Sequence, residues 1–117
     1  AQAMSMPYKI LRTKVYQQLQ KNKWNSIGIT SPNPEEGKSI TTINLAFAFA
    51  HSIENHVLLI DLDFHRPSIH KKLGFSPRYG LIDYLTGDIP ISEILFGIPG
   101  SNCIVIPGRD IKSIPHD

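Results

Sequence analysis

The side chains best suited to chemistry in this chain are Gly37-Lys38-Ser39, in a row, and the carboxylates Asp61 and Asp63, separated by one residue. In a phosphate-binding loop the glycine lets backbone N–H groups turn inward. The lysine reaches the outer phosphates as a mobile charge, and the serine hydroxyl completes the coordination of Mg²⁺. A helix starting there adds its unpaired N-terminal N–H groups and the positive end of its dipole. The usual spacing, G-x-x-x-x-G-K-[ST], puts Pro32 where the first glycine belongs, so the match is partial. Asp61 and Asp63 are candidates for holding Mg²⁺, directly or through water, and for accepting a proton from an attacking hydroxyl. Each motif also has a bland reading: Gly-Lys-Ser occurs in many surface loops, and aspartates at a strand end often only form a turn. A transition-metal cluster of Asp61, Asp63, His65 and His70 is a further alternative, but no cysteine or second histidine pair completes it.

The surrounding pattern supplies elements that would position these residues. Residues 24–30, with Ile27 and Ile29, read as a short buried strand leading into the loop. Residues 39–53 are apolar nearly all round, which describes a helix buried in a layered fold, with Phe47 and Phe49 in the core. Residues 57–63 form an apolar run ending in the two carboxylates. Such a run reads as a parallel strand covered on both faces, with Asp61 and Asp63 projecting to one side at the end where open α/β sheets bind ligands. Residues 67–73, 81–85 and 91–96 read as short helices punctuated by Gly74, Gly80 and Gly87, and residues 103–106 as a third strand.

Taken together, Thr30-Ser31-Pro32, Glu36-Gly37-Lys38-Ser39, Asn44-Leu45-Ala46, Leu58-Leu59-Ile60-Asp61-Leu62-Asp63 with Arg66-Pro67, and Tyr79-Gly80-Leu81 before Tyr84-Leu85 resemble the bacterial protein-tyrosine kinases of capsule and exopolysaccharide synthesis. The resemblance runs from about residue 8 to residue 108. It implies an α/β P-loop fold, a doubly wound and mostly parallel sheet, related to the partitioning ATPases. It also implies ATP or ADP with Mg²⁺ as cofactors, and Glu36, Gly37, Lys38, Ser39 and Ile40 as the cofactor-binding segment. Lys38, Asp61 and Asp63 are then the catalytic candidates, and Ser39, Asp61 and Asp63 the metal ligands. The partner implied is a membrane chain-length-determinant (polysaccharide co-polymerase) protein, with self-association as a further expectation.

Departures from the family pattern bear on activity. Glu35 stands where the family loop commonly has glycine, and with Glu36 it brings negative charge towards a phosphate site. His65 replaces an arginine, making that contact dependent on pH. Met6, Lys9 and Arg12 occupy the spacing of the family's Glu-x-x-Arg-x-x-Arg assembly motif in the helix expected over residues 8–19, whose apolar stripe is Tyr8, Leu11, Val15 and Leu19. The family's third motif, a hydrophobic strand followed by Asp-x-x-Pro, has no counterpart before Asp117. The expectation is therefore a partial P-loop domain, incomplete in its C-terminal half, that is truncated or completes itself through a partner chain. Two other functions stay open: an ATPase switch of the partitioning type, and a non-catalytic nucleotide-binding or interaction module.

Composition agrees with one domain. The chain has 117 residues, 41% hydrophobic, with a net charge of +2 and no second compositional segment. A single cysteine, Cys103, reads as a core residue of a reducing cytoplasm, and no run approaches the length of a membrane span. The segment before Glu35 is purely cationic, a feature that fits a solvated face or an approach to the inner face of a membrane. Nucleic-acid binding is not expected, because basic and aromatic residues do not interleave. Residues 1–5 read as a vector-derived scar before Met6.

Overall fold

The computed structural model describes residues 6–29, 37–52, 56–87 and 89–109. In chain order these form helix α1 (Met6–Asn22), helix α2 (Lys38–Ser52), strand β1 (Val57–Ile60), helices α3 (Ile69–Leu73) and α4 (Leu81–Leu85), a 3-10 turn (Ile91–Ile94), and strands β2 (Phe96–Gly97) and β3 (Cys103–Ile106). The sheet order is β1-β3-β2. Strand β1 runs parallel to β3, pairing Val57 with Cys103 and Ile60 with Ile106, while β2 is antiparallel to β3. The result is a mixed α/β arrangement with one parallel and one short antiparallel pair.

Helix α2 is the centre of the packing. It has apolar residues on every side, and Leu45, Ala46, Ala48 and Phe49 are all buried. One side receives α1, where Tyr16 meets Phe49 with ring centroids 6.3 Å apart. On its other side Ile43, Ala46 and Ala50 join Leu59, Ile69, Cys103 and Val105 in one cluster, edged by Phe47, Leu73 and Phe75. Val57 and Leu59 face this cluster together with their partners Cys103 and Val105, because parallel partners share a face. In α1 Tyr8, Val15 and Leu19 are half-buried, as the stripe predicts, whereas Leu11 is 36% exposed.

Local chemistry explains most boundaries. Helix α1 ends with Trp24 N–H donating to Leu19 O and Lys23 in the left-handed region, a residue type that bears a strain glycine would avoid. Helix α3 ends on left-handed Gly74, with Gly74 and Phe75 N–H both donating to His70 O. Between β2 and β3, Pro99 and Gly100 sit at the centre of a turn closed by Ser101 N–H donating to Ile98 O at 3.2 Å, with Gly100 at φ 76°.

Three expectations are corrected. Residues 24–29 are not a strand: Trp24 is 61% and Ile27 46% exposed, and no described strand lies alongside to pair with them. Thr30 and the loop residues 31–36, Glu35 and Glu36 among them, lie outside the described residues. Strand β1 is covered on one face only. Leu58 is 51% and Ile60 39% exposed because, among the described residues, no layer packs against the second face of β1. The strand stops at Ile60, so Asp61 and Asp63 belong to the loop beyond it and take separate directions. Boundaries shift elsewhere too, and the helix expected over residues 8–19 runs from Met6 to Asn22. Residues 67–68 precede α3, and the helix expected over residues 91–96 is a 3-10 turn followed by Phe96 in β2.

Candidate functional site

The site is built where the start of α2 meets the loop after β1. Gly37 adopts a positive φ of 79° and its carbonyl accepts the Thr41 N–H, so the helix begins immediately with Lys38. No acidic residue occupies the first turn of α2, and the positive end of its dipole is left without an anion from the helix itself. Lys38 Nζ lies 3.9 Å from Asp63 Oδ2, with the two side chains 35% and 36% exposed. At this separation and exposure the pair contributes at most about 1 kcal/mol and leaves the lysine free to turn to another anion. Ile40 is 47% exposed on the same turn.

Asp61 is 5% exposed and is held by backbone donors. Its Oδ1 accepts the Asp63 N–H, and its Oδ2 accepts the N–H groups of Ser68 at 3.0 Å and Ile69 at 3.1 Å. Asp61 therefore supplies the N-terminal cap of α3 from seven residues away. The Ser68 side chain, which does not cap its own helix, is directed instead to Ser39 in a close hydroxyl–hydroxyl contact. Asp63 Oδ1 accepts the N–H groups of His65 and Arg66, an aspartate turn that leaves Oδ2 facing Lys38.

Thus Lys38 meets Asp63 directly, and Ser39 meets Asp61 through Ser68. His65 and Arg66 are exposed beside this loop. His70 turns inward. Its ring packs edge-on near Phe75, its Nδ1 is enclosed without a hydrogen-bond partner, and burial, assisted by Lys71, lowers its pKa. Burial raises the pKa of Cys103, which sits in the core.

Residues that sequence reasoning did not single out complete the surroundings. Gly108 lies so close that a Cβ there would be 2.7 Å from Pro67 Cβ and 3.6 Å from Asp61 Cγ. Asp83 and Arg109 form a largely enclosed ion pair, with side chains 13% and 17% exposed. The signal for Asp83 was present as Gly80-x-x-Asp83 at a helix start, where a carboxylate reaches back to an N-terminal N–H. Ser68 offered a weaker one, as a serine near the start of the short helix expected over residues 67–73.

As for oxygen donors, Asp63 Oδ2 and the Ser39 hydroxyl are the groups suited to Mg²⁺, and Asp61 has little acceptor capacity left after three N–H donors. These oxygens are donors of the kind that Mg²⁺ takes.

No protein-family profile matches the chain. Among curated proteins, the tyrosine-protein kinase ptk of Acinetobacter johnsonii is 33% identical over 96 residues, covering 80% of this chain and 13% of ptk. The succinoglycan biosynthesis transport protein ExoP of Rhizobium meliloti (strain 1021) is 40% identical over 62 residues, covering 53% of this chain and 8% of ExoP. The chain thus spans a small part of the curated relatives it matches. Among solved structures, the VpsO kinase domain superimposes with a TM-score of 0.74 at 22% identity, over 92% of this chain and 54% of that one. That likeness establishes a shared fold. The similarity of this chain is to the bacterial tyrosine-protein kinases, over most of its own length.

Proposed function

We infer that this chain is the nucleotide-binding part of an ATP-dependent protein-tyrosine kinase serving exopolysaccharide or capsule synthesis. The observation that carries the reading is the meeting of Lys38, at the open start of α2, with Asp63, while Ser39 is tied through Ser68 to Asp61. A phosphate-loop lysine and serine brought against an acidic loop form an arrangement that holds a magnesium nucleotide.

In this reading Lys38 would turn from Asp63 to the β- and γ-phosphates, and the N–H groups of Gly37, Lys38, Ser39 and Ile40 at the start of α2 would cradle the polyanion. Ser39 and Asp63 would hold Mg²⁺, with Asp61 keeping the acidic loop in place. Bound ATP supplies the phosphoryl group that is transferred. Asp63 also stands as acceptor for the proton of the attacking tyrosine hydroxyl, and rate enhancement comes mainly from positioning and charge stabilisation. The whole chain belongs to one partial P-loop domain, and the position of β1 at the edge of the described sheet, where a further strand could pair, supports reading it as part of a larger sheet. Among the described residues no helix is long and apolar enough to cross a membrane. We place the domain in the cytoplasm, where a membrane co-polymerase protein or another copy would recruit it.

Thermal melting with and without Mg-ADP tests the site. Ligand at 100 times its dissociation constant adds about 2.7 kcal/mol, a shift on the order of 10 °C for a domain of this size. Lys38→Ala abolishes the shift if the loop is assigned correctly, and a folded sample that does not shift at millimolar Mg-ADP refutes nucleotide binding. Incubation with labelled ATP then identifies the activity. Label retained on tyrosine supports the kinase, free phosphate without labelled protein indicates a partitioning-type switch, and neither indicates a module that does not turn nucleotide over.

A further inference from the structure

We propose that Asp83 and Arg109 are positioning residues for the acidic loop: their ion pair holds the backbone of residues 107–109 against Asp61 and Asp63 and thereby sets the metal-binding side of the site. The inference rests on the nucleotide-site reading above and assigns it a support from outside both motifs.

The geometry forms a continuous strip. Arg109 donates from Nε to Asp83 Oδ2 at 3.0 Å and from Nη2 to Asp83 Oδ1, a two-pronged contact between side chains 26 positions apart. Asp83 Oδ2 also accepts the Gly80 N–H at 2.8 Å, and the neighbouring Leu81 N–H donates to Pro107 O at 2.9 Å. Gly80 allows this approach because it has no side chain. A Cβ there would lie 2.6 Å from Arg109 N, 2.8 Å from Gly108 C and 2.9 Å from Pro107 O. On its other flank the strip touches the acidic loop. A Cβ on Gly108 would lie 3.6 Å from both Asp61 Cγ and the Asp63 carbonyl oxygen, and the Asp61 N–H donates to Ile106 O at 3.0 Å. Residues 106–109 are therefore clamped between the start of α4 and the two carboxylates.

Hydrogen bonding from Arg109, the largest influence, keeps the Asp83 carboxyl below its usual pKa, so the clamp is charged across the neutral range. A planar guanidinium that grips both carboxylate oxygens fixes direction as well as distance, which a lysine would not do. Groups that orient metal ligands without touching the metal typically control affinity by about 10–100-fold.

The test measures ADP affinity by calorimetry, in Mg²⁺ and in EDTA, for the wild-type chain, Asp83→Asn and Arg109→Lys. The expected result is a loss of about tenfold in the gain that Mg²⁺ confers for Asp83→Asn and a smaller loss for Arg109→Lys. Affinity in EDTA, set by the Lys38 loop, stays near the wild-type value. A lower melting temperature with the Mg²⁺ gain intact overturns the proposal and reduces the pair to a structural clamp. If Asp83→Asn does not fold, Arg109→Lys decides by the same readout. Wild-type protein that binds no ADP defeats the nucleotide-site reading and this inference with it, whereas binding with an unaltered Mg²⁺ gain in the variants defeats this inference alone.

Discussion

Gly80→Ala isolates the close backbone approach at the start of α4. Gly80 has φ −123° and ψ −173°, an extended conformation open to alanine, so no backbone strain arises. By chain entropy alone the substitution would stabilise by about 0.4–1 kcal/mol. Sterics oppose this. The new methyl would meet three backbone atoms at 2.6, 2.8 and 2.9 Å, and backbone held by the Asp83–Arg109 pair does not yield as a flexible side-chain end would. Overpacking of this kind costs roughly 1–3 kcal/mol, and displacing residues 107–109 sacrifices the Leu81 to Pro107 hydrogen bond, worth about 1 kcal/mol. After the entropic gain is subtracted, the net destabilisation is roughly 1–3.6 kcal/mol. At about 4 °C per kcal/mol for a domain of this length, the melting temperature falls by roughly 4–14 °C. Gly97→Ala is the internal control, because nothing lies within 4 Å of its Cβ position and its φ is not left-handed. It should stay within about 0.5 kcal/mol of wild type. Calorimetric melts of the three proteins at pH 7 decide the matter. A Gly80→Ala protein that melts within about 2 °C of Gly97→Ala would refute the claim that residues 107–109 are rigidly held.

Other expectations concern the charged and titratable groups. Asp61→Asn replaces two acceptor oxygens by one and turns an amide donor towards the backbone N–H groups of Asp63, Ser68 and Ile69. The urea midpoint should fall by the equivalent of about 1–3 kcal/mol, and an unchanged midpoint would show that these bonds are dispensable. His70 has its pKa lowered by burial from the ordinary 6.5, so the unfolded chain takes up a proton that the folded one resists. The stability associated with neutral His70 is complete above pH 6.5 and drains away as pH falls from there to the lowered folded value. His70→Gln should flatten the stability profile on the acid side of pH 6.5, and an identical slope in the variant contradicts the assignment.

Several features were legible because their causes are local. The stretch Leu45 to Ala50 in α2 has no polar residue to offer to solvent, so its burial follows from its residues. Gly74 after a short helical stretch rich in basic residues, and Pro99-Gly100 before a β-branched one, mark a helix end and a turn through backbone preference alone. The Gly-Lys-Ser and Asp-x-Asp motifs were legible as chemistry for the same reason, since each residue's role is a property of its own side chain. Residues 24–29 were misread because strand propensity is realised only beside a pairing neighbour, and none of the described strands lies there. The exposure of Leu58 and Ile60 was hidden likewise: an apolar run says that a strand can be covered on both faces, while the layers that pack on the sheet decide whether it is.

What the sequence determined by itself, then, is the set of groups available at the start of α2 and after β1, and the helical and turn preferences that deliver them. Tertiary structure decided how those groups are shared. It turned Asp61 inward onto the N–H groups of α3, left Asp63 to face Lys38, joined Ser39 to Ser68, and brought Arg109 onto Asp83 behind the acidic loop. The physical reason is that a carboxylate's partners are set by proximity and burial across many residues of chain. Spacing along the sequence constrains these only within a turn or two.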